Sequence, residues 1–363
     1  MINHRGPEFK AMLSELEVGL KWAFQTENDI LIFPASGTGG LESAVANLIS
    51  PGERVLAVTI GAFGDRFADL ATAFGANVDR YTLPWGQAAD PEDVDDLLSK
   101  APEIASVLVT HNETSTGVLN PLQALAEVVK RHGRLLVVDG VSSIGSVDLP
   151  VDRWAVDVAV TASQKGWMLP PGVTMLSVSK TAWTRQHEAK APRFYFDWER
   201  AKTMQAKGMT FSTPAVGILF GLREALSMMR EEGLAAVFQR HLRIAAAFRA
   251  AAGALGLRLL ADPEAASPTV TAIYLPDALT GEKSEAVFKT WRELGLVLGE
   301  GQGKLTGKIF RIGHLGAVYP ADVIATVEML ERGLEMNGHP VSRGAALDAA
   351  KRALESSEPS LVA

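Results

Sequence analysis

The stretch Val158-Ala-Val-Thr-Ala-Ser-Gln-Lys-Gly-Trp-Met-Leu-Pro-Pro-Gly-Val173 decides how the chain is interpreted. Lys165 is the only ionisable side chain between Asp157 and Lys180, and its apolar and small neighbours predict a buried strand, a tight turn and a second strand. Burial lowers the pKa of a lysine amine, and a neutral amine is a nucleophile toward carbonyl groups. The alternative is a lysine at a strand end whose ammonium group extends into water.

Apolar strands and helical patterns alternate on both sides of Lys165. Strands are predicted at 29–34, 55–60, 77–81, 104–110, 134–139, 156–161 and 173–178. Helices are predicted between them at 8–24, 41–48, 63–74, 91–100 and 121–132. This alternation predicts an α/β fold with a mostly parallel central sheet covered by helices on both faces. In such sheets the ligand lies beyond the carboxyl ends of the strands.

The pattern changes after residue 180. The polar and aromatic segment 184–210 is predicted to be irregular, and two strong helical patterns follow at 214–231 and 233–252. The proline-containing segment 262–268 is the predicted boundary, which gives a large domain at 1–262 and a small C-terminal α/β domain at 263–340. A tail at 341–363 is expected to start as a helix and to end in polar residues.

Composition excludes several classes of function. The chain has 363 residues, of which 47% are hydrophobic and 21% charged, and its net charge is −7. A negative charge without long single-sign runs argues against nucleic acid or an anionic membrane as a partner. The absence of cysteine excludes disulfides, thiolate metal sites and cysteine nucleophiles. The histidines lack metal-ligand spacing, so no metal is expected, and the polar N-terminal residues predict a cytoplasmic enzyme.

Two further features, taken together with Lys165, restrict the kind of ligand that the protein can bind. The glycine-rich loop 35–40 stands between a strand and a helix, where backbone N–H groups can bind a phosphate, although the same pattern also occurs in ordinary turns. Asp139 follows four apolar residues and needs a cation or hydrogen-bond donors, unless its own turn satisfies it. Pyridoxal 5'-phosphate fits all three, with its phosphate on the loop, its aldehyde on the lysine and its pyridinium on the aspartate.

Seven short segments resemble one enzyme family. They are Ser36-Gly-Thr-Gly-Gly40, Gly61-Ala-Phe-Gly64, His111-Asn-Glu-Thr-Ser-Thr-Gly117, Val138-Asp-Gly-Val-Ser-Ser143, Ser163-Gln-Lys165, Pro170-Pro-Gly172 and Phe310-Arg-Ile-Gly-His-Leu-Gly316. In order and spacing they are similar to the class V, fold-type I aminotransferases of the alanine–glyoxylate and serine–pyruvate branch.

The resemblance implies a role for each matched residue. Lys165 is expected to attach the cofactor and later to move the proton, and Asp139 to pair with the pyridine nitrogen. Val141 and Phe63 are expected on the two faces of the ring, and Thr114 beside its hydroxyl group. The remaining implied roles are the phosphate site, made by Ser36, Gly37, Thr38 and Gln164 with Thr213 of a partner subunit in a homodimer, and the clamp for the substrate carboxylate, made by Arg311.

Two positions depart from the family pattern. Relatives usually carry a proline-rich segment ahead of the His4-Arg5 region, whereas this sequence starts with Met1, so a more open substrate pocket is one expectation. Thr210 stands where relatives often have tyrosine or a similar polar residue, which predicts a weaker contact with the partner's phosphate.

The predicted reaction is transamination between a small amino acid, alanine or serine, and the 2-oxo acid glyoxylate or pyruvate. An aminotransferase for another donor such as aspartate stays open, as does a pyridoxal phosphate lyase of the same fold that needs no cysteine. A non-catalytic phosphate-binding protein is the third alternative, but it would leave a buried Lys165 without a role.

Overall fold

The computed structural model describes residues 2–356, so the end of the predicted tail, 357–363, lies outside the described residues. The helices are α1 (Pro7–Phe24), α2 (Gly37–Leu48), α3 (Ala62–Ala73), α4 (Pro91–Lys100), α5 (Leu122–Arg131), α6 (Lys180–Glu188), α7 (Trp198–Gln205), α8 (Val216–Glu232), α9 (Leu234–Ala254), α10 (Ser284–Glu293), α11 (Pro320–Met336) and α12 (Ala345–Glu355). The strands are β1 (Asp29–Phe33), β2 (Arg54–Thr59), β3 (Asn77–Thr82), β4 (Ser106–Thr110), β5 (Asn112–Glu113), β6 (Val118–Leu119), β7 (Leu135–Asp139), β8 (Val158–Ala162), β9 (Thr174–Val178), β10 (Val270–Tyr274), β11 (Gly299–Glu300) and β12 (Ile309–Gly313).

A seven-stranded sheet forms the centre of the molecule, in the order β1-β9-β8-β7-β4-β2-β3. β9 pairs antiparallel with both β1 and β8, and the other neighbours pair in parallel. Alternate residues of one strand enter different hydrophobic clusters, as Leu56 and Val58 do on one face and Val55 and Ala57 on the other. Both faces are therefore covered, as the continuous apolar strands predicted.

A second, three-stranded antiparallel sheet has the order β10-β12-β11. Its hydrophobic cluster extends from Ile244 of α9 to Ala350 of α12. α9, which the predicted boundary at 262 assigned to the large domain, thus packs with the C-terminal elements, because its apolar face meets α12 and β10. The division into 1–262 and 263–340 stays a prediction.

The prediction of an irregular segment at 184–210 is wrong. α6 and α7 occupy part of it, and each begins at a side chain that caps the first turn: Ser179 accepts from the N–H of Ala182, and Asp197 accepts from the N–H of Arg200. Both caps lie beside short polar helices with few buried residues, so the helical periodicity was too brief to recognise.

Within residues 2–356, no helix has the length and apolar character needed to cross a bilayer.

Candidate active site

The predicted site residues follow the carboxyl ends of neighbouring strands. β1, β2, β4, β7 and β8 all run in the same direction, because β1 and β8 are both antiparallel to β9. Their carboxyl ends therefore share one edge of the sheet. That edge carries Asp139 at the end of β7 and, in the segments that follow the other strands, Ser36, Phe63, Thr114 and Lys165.

Lys165 lies in the turn after β8. Its N–H donates to the carbonyl of Ala162 at 3.3 Å, and its carbonyl accepts from the N–H of Met168 at 3.0 Å. Burial lowers the pKa of the Lys165 amine; the carboxylate of Asp139 opposes this shift and the guanidinium of Arg311 adds to it. The lysine therefore has the lowered basicity that nucleophilic amines need.

Asp139 is the last residue of β7 and is 4% exposed. Its Oδ1 accepts from the N–H of Val141 at 3.0 Å. Burial raises the pKa of this carboxyl to about 7; the charge of Glu113 adds to the rise, whereas the Val141 N–H and the Lys165 ammonium oppose it. A cationic partner at this carboxylate would offset much of the cost of burying its charge.

The loop after β1 presents the N-terminus of α2. Ser36 is the N-cap, and its Oγ accepts from the N–H of Gly39 at 3.4 Å. The first-turn N–H groups of Gly37 and Thr38 have no acceptor within the helix, which is the usual state of helix N-termini that bind phosphate. Gln164 adds a buried Oε1 that has no hydrogen-bond partner.

Val141 and Phe63, the residues predicted for the two ring faces, lie on different elements. A Cβ atom on Gly37 would come within 2.9 Å of Val141 Cγ2, so Val141 packs directly against the phosphate loop. Phe63 stands in the first turn of α3, and the guanidinium carbon of Arg66 lies 5.0 Å from its ring centroid.

Thr114 belongs to the hairpin formed by β5 and β6. Its hydroxyl donates to Ser142 Oγ at 3.0 Å, and Ser142 is held in turn by the main-chain oxygen and side-chain amide of Asn112, both at 2.8 Å. The Thr114 oxygen keeps a lone pair for one further donor, such as a phenolic hydroxyl.

Arg311 lies in β12, opposite Gly299 of β11. Its Nε and Nη2 donate to the carbonyl of Glu300 at 3.0 and 2.8 Å, and its Nη1 donates to the carbonyl of Thr114 at 3.0 Å. A guanidinium has five N–H groups, so two remain for a ligand. Burial lowers the pKa of Arg311 and the charge of Glu113 opposes that shift.

Thr213 is exposed at the end of the segment that precedes α8. Ser212 beside it donates to the Tyr195 hydroxyl at 3.4 Å, and that hydroxyl donates to the carbonyl of Pro34 at 3.3 Å. The side chain of Thr210 bonds to the Ser212 carbonyl at 2.7 Å. The predicted contact of Thr213 with a partner's cofactor stays a prediction.

Three supporting groups were not singled out from the sequence: the Glu113 carboxylate, the Ser142 hydroxyl and the Glu300 carbonyl. The first two lie inside the matched segments 111–117 and 138–143, so only the family resemblance could have indicated them. The third is a main-chain oxygen, whose identity no residue type reveals.

These residues fit pyridoxal 5'-phosphate. The free first turn of α2 and the N–H donors of the Gln164 amide suit its phosphate, and the buried Asp139 suits a protonated ring nitrogen. Lys165 is the amine that the same edge of the sheet supplies for an aldehyde. Within residues 2–356, no cluster of three or more His, Cys, Asp or Glu side chains is arranged to hold a metal ion.

Comparison with known proteins gives three findings. The family model described as "Aminotransferase class-V" matches residues 1–287. The chain is 42% identical to "Soluble hydrogenase, small subunit" of Synechococcus sp., over 97% of this chain and 92% of that protein, and 39% identical to "L-aspartate--glyoxylate aminotransferase" of Paracoccus denitrificans, over 96% and 89%. The crystal structure of pyridoxamine–pyruvate aminotransferase from Mesorhizobium loti superposes with a TM-score of 0.93 at 32% identity, covering 98% of this chain and 91% of that one.

The family resemblance, the fold-type I architecture, the pyridoxal phosphate cofactor and transamination between an amino acid and a 2-oxo acid are thereby confirmed. The name hydrogenase is not matched by cluster ligands in this sequence. The chain has no cysteine and therefore no thiolates to hold an iron–sulfur cluster.

Proposed function

The chain belongs to the class V aminotransferase family, and from this premise we propose that it transfers the amino group of alanine or serine to glyoxylate or pyruvate. Two acceptors are proposed because the Paracoccus relative is named for glyoxylate and the Mesorhizobium structure for pyruvate.

The environment of Arg311 is the observation that carries the choice of substrate. Three of its five N–H groups are used by main-chain oxygens, which fixes the guanidinium and leaves two donors, enough for one carboxylate. Small amino acids and their oxo acids carry a single carboxylate. A side-chain carboxylate would need a second cation, because the two free donors of Arg311 are used by the first carboxylate, and burial without one is costly.

When bound, pyridoxal phosphate supplies an aldehyde for the amino group and a ring that accepts electrons from the substrate α-carbon. Lys165, with its lowered amine pKa, holds the cofactor and carries a proton on its Nζ. Asp139 keeps a negative charge at its buried carboxylate for the ring nitrogen. Arg311 orients the substrate through its carboxylate, and the phosphate is held at the first turn of α2.

The donor is tested by half-reactions. Holoenzyme is mixed with one L-amino acid at a time, and conversion of the cofactor from its aldehyde to its amine form is followed by absorbance. We expect alanine or serine to convert it and glyoxylate or pyruvate to restore it. The variant Arg311→Gln tests the clamp: it keeps a hydrogen-bonding side chain but removes the charge, and it should raise KM for the oxo acid by about 100-fold.

Aspartate is the second candidate donor, because one relative at 39% identity is an L-aspartate–glyoxylate aminotransferase. Fast conversion by aspartate and slow conversion by alanine and serine would replace the small-donor proposal with this one. Release of ammonia or of a cleaved fragment, without conversion of the cofactor to its amine form, would support a lyase instead.

We also propose a homodimer with active sites at the interface, since Thr213 matches a residue that reaches a partner's cofactor phosphate in the family resembled. The exposed position of Thr213 and the exposed aromatic side chains of Phe194 and Tyr195 in the same region support this surface as the interface. Sedimentation at assay concentration should give a dimer or a larger even assembly. A fully active monomer would exclude the proposal. Cytoplasmic residence likewise stays a proposal, which cell fractionation tests.

A further inference from the structure

The first turn of α3 has an unusual N-terminus. Its N-cap residue is Gly61, which has no side chain, and no N-cap side chain accepts from the first-turn N–H groups. Three N–H groups, those of Ala62, Phe63 and Gly64, therefore need acceptors from elsewhere in the chain. Phe63 is also the residue proposed to lie on one face of the cofactor ring.

A carboxylate from fifty residues further along the chain satisfies this turn. Glu113 Oε2 accepts from the N–H groups of Phe63 and Gly64, both at 3.0 Å. The third N–H, that of Ala62, donates to Ser115 Oγ at 2.9 Å. The positive end of α3 thus lies on the negative charge of the β5–β6 hairpin, which is a favourable arrangement for a helix N-terminus.

The other oxygen of Glu113 fixes its own hairpin. Oε1 accepts from the N–H of Ser115 at 3.0 Å and from the Ser115 hydroxyl at 2.6 Å. The side chain is fully buried, and a Cβ atom on Gly61 would lie 2.4 Å from Glu113 Cγ, so glycine is needed for the carboxylate to reach the turn. Four donors converge on one carboxylate, which leaves it no freedom to move.

We propose that Glu113 is a positioning residue for transamination: its carboxylate locks the first turn of α3 onto the hairpin that carries Thr114, so that Phe63 and Thr114 keep a fixed relation at the cofactor. This inference rests on the proposed roles of Phe63 and Thr114. Glu113 touches no substrate in this role; it acts through the two residues that it joins.

The charge of Glu113 has a second effect in the same site. Arg311 makes no ion pair within 4 Å among the residues described, and the field of Glu113 favours its charged form. Burial raises the pKa of the Glu113 carboxyl, while its hydrogen bonds from Ser115, Gly64 and Phe63 hold it toward the charged form.

The test is Glu113→Gln in the holoenzyme. Glutamine has nearly the same shape, but its amide group replaces one acceptor oxygen, so either α3 or Ser115 loses its acceptor. We expect the dissociation constant for pyridoxal 5'-phosphate to rise about tenfold or more, as for loss of a charged hydrogen bond. The visible circular dichroism of the bound cofactor should change in intensity, because the ring environment is no longer fixed.

A double-mutant cycle with Phe63→Leu separates positioning from general destabilisation. If Glu113 acts by fixing Phe63 relative to Thr114, then Glu113→Gln should raise the cofactor dissociation constant by a clearly smaller factor in the Phe63→Leu background than in the wild type. Effects that multiply, or a single variant whose dissociation constant and circular dichroism match wild type, overturn the proposal. Should Glu113→Gln fail to fold, Ser115→Ala decides: it removes the hydroxyl between Glu113 and Ala62, and it should shift both readouts in the same direction by a smaller factor.

Asp90→Ala is the matched control. Asp90 caps α4 by accepting from the N–H of Glu92 at 2.9 Å, outside the active site. Its replacement should lower the melting temperature and leave cofactor affinity and the dichroism unchanged; an equal change in both variants overturns the specific role of Glu113. Wild-type protein without aminotransferase turnover would instead contradict the proposed function, whatever the Glu113 variants do.

Discussion

Lys165→Ala is expected to abolish turnover, with activity falling below detection. The variant loses the amine that holds the cofactor and carries the proton, and no other lysine lies in the segments that directly follow β1, β2, β4, β7 and β8. After treatment with borohydride, mass spectrometry should find the cofactor mass on the Lys165 peptide of the wild type and on no peptide of the variant. Folding should survive, because removal of a buried amine relieves its desolvation.

Lys180→Ala is the control for this change. Lys180 is exposed at the start of α6, fifteen residues along the chain, and its replacement should leave activity, colour and stability at wild-type values. A Lys165→Ala protein that keeps measurable turnover, or that still forms a borohydride-stable bond to the cofactor, would show that another residue is the nucleophile.

Asp139→Asn is expected to lower kcat by about 100-fold to 1,000-fold, as removal of a preorganised electrostatic group usually does. Cofactor should still bind, because the phosphate loop and Lys165 are intact. Asp157→Asn is the matched control: Asp157 is also buried at the sheet but bonds to Lys130 and the Leu136 N–H, so its loss should reduce stability and spare kcat.

Asp139→Asn should not destabilise the cofactor-free protein at alkaline pH, although it lowers kcat of the holoenzyme. Burial raises the pKa of Asp139 from 3.8 to about 7, so the folded state binds a proton that the unfolded state has already released between these values. This carboxyl therefore favours the folded state at low pH, and that contribution is lost as the pH rises through 7. At pH 8 the cofactor-free Asp139→Asn variant should melt at or above the wild-type temperature. A clear loss of stability there would contradict the pKa shift.

The architecture of the central sheet was largely predictable because its strands are short, continuous apolar runs. Leu135–Val138 and Val158–Val160 carry no polar side chain, and only a strand covered on both faces tolerates that composition. Less regular elements escaped prediction for physical reasons. β11 is two residues long, and α7 buries little more than Trp198 and Ala201, so neither produces a periodic pattern.

Some residues of the candidate site were likewise predictable from the sequence and others were not. Lys165 and Asp139 were recognisable because a lone charge in an apolar run needs an explanation, and Arg311 was recognisable only through a motif. Glu113 could not be predicted as a helix cap, because the turn it caps lies fifty residues away and the pairing exists only in the folded chain. Contacts of that kind depend on the strand order, which no local pattern specifies.

Arg311 is held by the main-chain oxygens of Glu300 and Thr114, and this has a consequence for how the enzyme can diversify. Every residue type offers the same carbonyl, so the amino acid at position 300 can be exchanged without dismantling the guanidinium's support. The Glu300 side chain does not support Arg311: it is 59% exposed, and its Oε1 lies 3.7 Å from Arg292 Nη1. A substitution at position 300 can therefore change the charge on this strand while the Arg311 guanidinium keeps its main-chain acceptors.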